Sequence, residues 1–114
     1  MKLTFTHKNK KINLEVKQVN YLNPRGLMFR KRKNAPTLLF EFKRPVNLAI
    51  HSYFVFFSFW AIWLDKNNNI IDARLVNPWK FHIKPKKPFY KLIEIPTNSK
   101  YINKILRREL EKFK

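Results

Sequence analysis

The feature that most restricts the fold is a stretch of 20 residues, Pro45–Leu64, without a charged side chain. About 20 apolar residues are enough to cross a bilayer as a helix. Four polar side chains interrupt this stretch, however: Asn47, His51, Ser52 and Ser58. The apolar pieces that remain are short and rich in aromatic residues, which is typical of strands buried within a sheet. We therefore expect no transmembrane span.

Alternating apolar and polar residues predict further strands on both sides of this stretch. The expected strands are Lys2–Thr6, Ile12–Val16, Thr37–Phe42, Leu48–Phe57, Phe59–Leu64, Ile70–Val76 and Phe89–Ile95. Residues 7–11 and 65–69 indicate hairpin turns, the second because asparagine tolerates positive φ. The segment 43–45 is expected to end a strand, since Pro45 cannot donate to a ladder. Residues 79–88, with two prolines, indicate an extended surface loop.

Two segments have helical signals. Asn23 is a good N-cap and Pro24 suits the first helical position, so we predict a short helix near residues 23–31. Gly26, the only glycine, costs on the order of 1 kcal/mol within a helix relative to alanine. It therefore marks a close backbone approach or a positive φ. Residues 99–113 place apolar side chains at helical spacing, which predicts an amphipathic C-terminal helix packed on the core.

Together these elements predict a mainly β chain of the α+β class. We expect a small barrel-like sheet, antiparallel or mixed, that carries the two helices. A single domain over residues 1–114 is expected because the chain has the length of one domain and contains neither a linker nor a repeat. The first residues, MKLTFTHKNKK, lack the apolar region of a signal peptide, so a cytoplasmic protein is expected.

Several motifs follow one another along residues 21–98. They are GLMFR at 26–30, IHSYFVFF at 50–57, WLDKNNNIID at 63–72, NPW at 77–79, KPKKP at 84–88 and YKLIEIPTN at 90–98. In these motifs the chain resembles the domain-of-unknown-function 192 family. The resemblance implies a small β-barrel-like domain without an established activity. The family typically carries an aspartate soon after the Phe-rich strand, where this chain has Ser58-Phe59-Trp60, so an activity that needs this acid is expected to be lost.

The charge of the chain points to an anionic partner. Twenty-five Lys and Arg residues stand against seven Asp and Glu residues, which gives a net charge of +18. Self-repulsion of this size destabilises a compact chain at low salt, and a polyanion relieves it. Nucleic acid or an anionic membrane surface would serve. The alternative is a lysine-rich composition with a solvated surface and no bound partner.

Three basic segments are the candidate nucleic-acid-binding surface, with aromatic residues near the last of them. The candidate residues are Lys8, Lys10, Lys11, Arg30, Lys31, Arg32, Lys33, Lys84, Lys86 and Lys87, and the aromatic residues are Trp79, Phe81, Phe89 and Tyr90. Lysines follow phosphates and rings stack on bases in sites for single strands. The rings lie at predicted strand ends, however, where burial in the core explains them equally well.

Several kinds of chemistry find no support. The chain has no cysteine, and its single glycine excludes a glycine-rich phosphate loop. The histidines at 7, 51 and 82 are too far apart in sequence to preset a metal site on one element. The carboxylates Asp65, Asp72 and Glu94 have structural explanations in turns and ion pairs. The sequence thus favours a binding module without catalytic residues, cofactor or metal.

A second hypothesis of a different class remains. His51 lies within an apolar run, where a buried imidazole needs a partner. With Tyr53 and Trp79 it would line a small-molecule or carbohydrate pocket at the mouth of the barrel, in a protein that is possibly an enzyme.

Overall fold

The structure is a computed structural model, and it describes residues 1–7, 10–19, 33, 35–52 and 55–98, with only the backbone at residues 7 and 10. Both predicted helices, near 23–31 and 99–113, lie outside the described residues. What the structure describes is mainly β, as the sequence predicts. Its seven strands are β1 Lys2–His7, β2 Lys10–Glu15, β3 Lys17–Gln18, β4 Leu38–Val46, β5 Phe59–Leu64, β6 Ile70–Val76 and β7 Phe89–Pro96.

The strands form two sheets. Strands β1 and β2 make an antiparallel hairpin, in which Phe5 stands opposite Ile12. The other five form a mixed sheet in the order β3-β4-β7-β5-β6, where only the β3–β4 pair is parallel. The described strands do not close into a barrel, so the predicted barrel-like sheet is wrong in this respect. A barrel requires the two edge strands to pair, but β3 has two residues, and β6 meets the hairpin through one bridge, between Thr6 and Asn69.

Strand β5 is buried on both faces, as its uninterrupted apolar sequence predicts. All six of its side chains are buried. Trp60, Ile62 and Leu64 pack towards the β1–β2 hairpin, in a cluster with Leu3, Phe5 and Leu14. The alternate residues Phe59, Ala61 and Trp63 pack on the other face, in a cluster with Val55, Phe57 and Ala35. The period of two along a strand thus divides one apolar run between two cores.

Two strand predictions around β4 are wrong. The strand does not end before Pro45 but continues to Val46 with a register shift. The expected strand over 48–57 is irregular in its described part, apart from a bridge between Ile50 and Ile83. Its buried residues Val55 and Phe57 cover the sheet rather than join it. Apolar content predicts burial, and it does not by itself distinguish a strand from a covering loop.

The asparagine-rich turn between β5 and β6 forms as predicted. The Asp65 carboxylate accepts hydrogen bonds from the backbone N–H groups of Asn67, at 2.8 Å, and Asn69, at 2.9 Å. Asn68 has a positive φ of 63°, a conformation that asparagine tolerates better than most residues. Asp65 therefore has the structural role that its position in the sequence indicates.

Glu94 is a buried acid that the sequence analysis explained incorrectly. It lies in β7 between Leu38 of β4 and Ala61 of β5 and is only 6% exposed. The described residues give it no ion pair, although lysines are near in sequence. Burial raises the pKa of Glu94 to about 8, since the charged form loses its hydration.

We predict that Glu94→Gln stabilises the protein increasingly as the pH rises from 5 to 8. The folded-state pKa of Glu94 lies above the ordinary value of 4.5. The protonated acid therefore makes its full contribution to stability at a pH below 4.5, and this contribution is lost as the pH rises through the folded-state pKa. The loss follows a slope of up to roughly 1.4 kcal/mol per pH unit. Urea unfolding of both proteins across this range measures it.

The exposed Glu15 provides the matched control. The N-terminal amino group, 2.7 Å from its carboxylate, lowers the pKa of Glu15. Glu15→Gln should therefore show no gain in stability with rising pH. A stability difference between wild type and Glu94→Gln that stays constant from pH 5 to 8 would contradict the buried, protonated state of Glu94.

Candidate nucleic-acid interface

Ser52 joins two loops across one face of the five-stranded sheet. Its hydroxyl donates to the carbonyl of Asn77, at 2.7 Å, and accepts from the backbone N–H of Lys80, also at 2.7 Å. Its backbone N–H donates to the Lys80 carbonyl at 2.7 Å, and its carbonyl accepts from the N–H of Trp79 at 2.9 Å. Ser52 is fully buried. These bonds give the backbone N–H and C=O groups of the two irregular segments the partners that a strand ladder would otherwise supply.

We call the segments joined in this way the paired loops, residues 47–52 with 55–58 and residues 77–88. Their second connection is the bridge between Ile50 and Ile83, with N–H···O distances of 2.8 and 2.9 Å. A third is the Ser58 hydroxyl, which donates to the Asn77 side-chain oxygen at 3.0 Å. Because the loops bond to each other at several points between residues 50–58 and 77–83, they form one unit on the sheet.

The paired loops run the length of the sheet in opposite directions. The first follows the end of β4, where Val46 pairs with Phe89, and leads to Phe59 at the start of β5. The second leaves Val76, which pairs with Phe59, and returns to Phe89. Side chains from residues 55–58 and 77–81 therefore lie towards one end of the sheet, and those from 47–48 and 84–88 towards the other.

Three aromatic rings of the paired loops are exposed, and we call them the stacking surface: Phe56, Trp79 and Phe81. Their exposed fractions are 61%, 50% and 68%. The rings of Phe56 and Trp79 meet edge to face, with centroids 6.1 Å apart. Exposed aromatic clusters of this kind mark interaction sites in soluble proteins. Of the rings singled out in the sequence, Phe89 is buried and Tyr90 is half-buried, so neither belongs to this surface.

The backbone under this surface is strained. Trp79 has φ 63° and His82 has φ 58°. A positive φ is rare for a bulky residue, costs on the order of 1–3 kcal/mol and occurs most often at functional sites. At Trp79 the surrounding hydrogen bonds to Ser52 maintain this conformation. The strain therefore fixes the position from which the Trp79 ring projects.

The second of the paired loops also carries four lysines. With two basic residues of β4 they form a group that we call the basic rim. The rim consists of Lys43, Arg44, Lys80, Lys84, Lys86 and Lys87, of which all but the half-buried Lys84 are exposed. The pairing of Val46 with Phe89 brings Lys43 and Arg44 next to the end of the second loop. The sequence analysis missed this pair, because it assigned residues 43–45 to a strand break. Only the register across β4 and β7 reveals it.

The carboxylates that the structure describes do not neutralise the basic rim. Glu15 pairs with the N-terminal amino group at 2.7 Å. Asp72 pairs with Arg74 at 3.1 Å, and Glu41 pairs with Lys91 at 3.7 Å. These three ion pairs do not involve the rim, and the structure shows no ion pair between the rim and a described acid. The charge of the rim is available to an external anion.

The remaining predicted lysines are distributed as follows. Lys11 is exposed on the β1–β2 hairpin, near the β5–β6 turn, since the N–H of Thr6 donates to the carbonyl of Asn68. Lys10 pairs with His7 at the tip of that hairpin. Leu64, just before the β5–β6 turn, pairs with Lys91, which lies shortly after the second loop. The β5–β6 turn and the end of the second loop therefore lie at the same end of the sheet, on opposite faces.

Other candidates lie elsewhere. Lys33 is exposed and precedes β4. Lys8, Arg30, Lys31 and Arg32 are outside the described residues.

The structure describes two of the three residues of the predicted pocket, so the pocket stays a prediction. His51 is exposed, although the sequence placed it in a buried strand, and Trp79 is half exposed. Tyr53 lies outside the described residues. The reason for the difference is that the buried residue of this segment is Ser52, not its neighbour His51.

Among the described residues, no three His, Cys, Asp or Glu side chains come together as metal ligands would. No helix within the same residues has the length and apolarity needed to cross a membrane.

Comparison with known families now places the chain. The model of the DUF192 family, described as an uncharacterised ACR, matches residues 2–105. The chain belongs to this family. The DUF192 resemblance found in the sequence motifs is therefore confirmed.

Curated relatives agree with the assignment to DUF192, and a solved structure has a similar fold. A UPF0127 protein of Pyrococcus furiosus is 30% identical over 91 residues, 78% of each chain. A UPF0127 protein of Pyrococcus horikoshii is 33% identical over 75 residues, 66% of this chain and 64% of the relative. A protein of unknown function from Novosphingobium aromaticivorans superposes with a TM-score of 0.67 at 15% identity, over 83% of this chain and 71% of its own. At that identity the likeness shows the fold alone.

We predict that Ser52→Ala loosens the paired loops and destabilises the protein by about 1–3 kcal/mol, because it leaves the part-buried N–H of Lys80 without its acceptor. Urea unfolding measures the loss, and hydrogen exchange at the Lys80 amide should accelerate. The control is Ser58→Ala, which removes one hydroxyl bond on a partly exposed residue. Equal losses for the two variants would show that Ser52 does not hold the loops together.

Proposed function

We propose that this DUF192 protein binds single-stranded nucleic acid through the stacking surface and the basic rim, without reading a sequence. The observation that supports the proposal is the combination of the two on one unit. Three exposed rings stand on loops that Ser52 fixes, and the same loops carry lysines that have no ion pair with a described acid. Lysines contact phosphates regardless of sequence, and rings stack on any base.

The exposure of the rings favours single strands over duplex. A ring contributes about 1–3 kcal/mol per base when a base stacks on it, and this requires a base face that is open. In a duplex both faces of each base are covered by neighbouring bases. Phe81, the most exposed of the three rings at 68%, has ring surface on which an unstacked base can stack.

The arrangement along the sheet supports an extended ligand. The stacking surface lies towards the end of the sheet where β5 begins, and most of the basic rim lies towards the end where β7 begins. A strand laid along the paired loops therefore meets rings first and lysines next. Contact with several phosphates would also relieve part of the +18 charge of the chain.

We predict that Phe81→Ala weakens binding of a labelled single-stranded oligonucleotide by about 1–3 kcal/mol, or roughly 5-fold to 150-fold. Fluorescence anisotropy measures the affinity. Leu48→Ala is the matched control, because Leu48 is an apolar residue of the same loops with 50% exposure but no ring, and its affinity should stay unchanged. An equal effect of both variants would argue against stacking.

We predict that changing Lys84, Lys86 and Lys87 together to alanine flattens the salt dependence of binding. For a single strand, log affinity falls against log salt with a slope of about −0.7 per phosphate contact, so three lost contacts reduce it by roughly 2. The control removes Lys2 and Lys17, two exposed lysines away from the paired loops, and should leave most of the slope intact.

The same titration tests the function as a whole. Equal affinity for duplex and single strand would contradict the stacking part of the proposal. Vesicles with phosphatidylserine are run in parallel, since an anionic membrane gives a similar response to salt. Absence of binding to any oligonucleotide at about 0.15 M salt would overturn the proposed function.

A further inference from the structure

The paired loops contain a bulge, at which the second loop has one residue more than the first. Ile50 and Ile83 exchange both of their backbone hydrogen bonds, at 2.8 and 2.9 Å. The next connection runs from the N–H of Ser52 to the carbonyl of Lys80, at 2.7 Å. One residue of the first loop and two residues of the second lie between these connections, as in a β-bulge.

The bulge brings two histidines from distant positions of the chain next to each other. The single residue of the first loop is His51, and the two residues opposite it are Phe81 and His82. Opposed residues on antiparallel chains have Cβ atoms roughly 5 Å apart. We call His51 and His82 the histidine pair. Their two rings are within reach of one small group.

The histidine pair lies on the outer face of the paired loops. Ile50 and Ile83, the residues beside it, are half-buried and pack on the core cluster under the loops. His51, His82 and the ring of Phe81 are exposed. Both imidazoles are therefore on the side of the loops that carries the stacking surface.

The backbone holds the pair in place. His82 has a φ of 58°, a left-handed conformation that bulges use to accommodate an extra residue. The hydrogen bonds between Ile50 and Ile83 hold the chain on one side of the bulge, and the bond from Ser52 to Lys80 holds it on the other. Groups held in this way lose little freedom when a ligand binds.

Two imidazoles beside a surface for single strands suit one reaction in particular. Imidazole is the side chain best able both to take up and to give up a proton near neutral pH. RNA carries a 2′-hydroxyl beside each phosphate, which DNA lacks. Lys80 and Lys84, which precede and follow the bulge in the chain, add positive charge that favours a phosphate.

We propose that the histidine pair cleaves single-stranded RNA held on the stacking surface, an inference that rests on the proposed function and adds a reaction to it. One imidazole takes the proton of a ribose 2′-hydroxyl, and the 2′-oxygen forms a bond to the phosphorus. The bond from the phosphorus to the 5′-oxygen breaks, and the other imidazole, in its protonated form, gives that oxygen a proton. The products are a 2′,3′-cyclic phosphate and a 5′-hydroxyl, and the pair as a whole neither gains nor loses a proton.

The experiment incubates the whole chain with an end-labelled single-stranded RNA and a metal chelator, since the step needs no metal ion. Gel electrophoresis measures the rate, and mass spectrometry identifies the new ends. We expect 2′,3′-cyclic phosphate and 5′-hydroxyl ends, and a linkage that follows a 2′-deoxyribose should stay intact. Fragments with 5′-phosphate ends, or cleavage at the deoxyribose, would overturn the proposal.

Variants of the pair assign the two roles. His51→Asn and His82→Asn should each lower the rate about 100-fold or more, the low end of what a positioned acid or base contributes. Asparagine tolerates the positive φ at position 82, so the backbone of the bulge is kept. Both variants should bind an all-deoxyribose strand, which is not cleaved, as tightly as wild type. A merely structural role of the histidines would weaken this binding as well.

The third histidine is the matched control. His7 lies in strand β1, which belongs to the other sheet, and His7→Asn should cleave as fast as wild type. Equal rates for wild type and all three variants would overturn the proposal, because the activity would not belong to the histidine pair.

Binding and cleavage measured together separate the two proposals. If single strands bind and RNA is not cleaved, the cleavage proposal fails while the proposed function stands. The dinucleotide cytidylyl-adenosine tests the opposite case. If it is cleaved in a reaction that needs both histidines, but longer strands bind no more tightly, the histidine pair stands as a site and the proposed function fails.

Discussion

The burial of strand β5 on both faces is the constraint on which the rest of this structure depends. Each of its six side chains is removed from water, and three point to each side of the sheet. An apolar face contributes to stability only if another layer covers it. The β1–β2 hairpin covers one face. The other face is covered by irregular chain, which includes the paired loops.

Covering a sheet with irregular chain creates a problem that a strand or helix would not have. Backbone N–H and C=O groups near the core need partners, and loops do not supply them by repetition. Ser52 meets this need with its hydroxyl and its backbone. The inward side chains of the loops, such as Val55 and Phe57, pack on the core, while Phe56 remains outside. The paired loops therefore both cover the sheet and present a defined outer face.

The distribution of charge follows from the scarcity of acids. The described carboxylates Glu15, Glu41 and Asp72 are ion-paired, Asp65 caps a turn, and Glu94 is buried. The lysines and arginine at the β7 end of the sheet therefore keep their charge. Rings and cations on one unit are what distinguish this surface from a uniformly solvated one. The same geometry brings Lys43 and Arg44, from a different strand, to its edge.

The sequence by itself determined the β-rich class, the family, the two hairpins and the burial of β5. These depend on local pattern: alternation, an asparagine-rich turn and a run without charges. It also identified Lys84, Lys86 and Lys87 as basic loop residues. It did not decide which apolar residues pair in ladders and which lie over them, so residues 48–57 were assigned to a strand and the sheet to a barrel.

Only the tertiary structure decided the rest. The register of β4 against β7 is set by contacts between residues about 50 positions apart, and it places Lys43 and Arg44 next to the end of the second loop. Whether a ring is buried or exposed depends on what the neighbouring loop covers, so Trp79 and Phe81 differ from Phe89 although all lie in one short segment. Likewise, the burial of Glu94 results from its neighbours Leu38 and Ala61 on two other strands. Long-range pairing, which no local pattern encodes, is the physical reason.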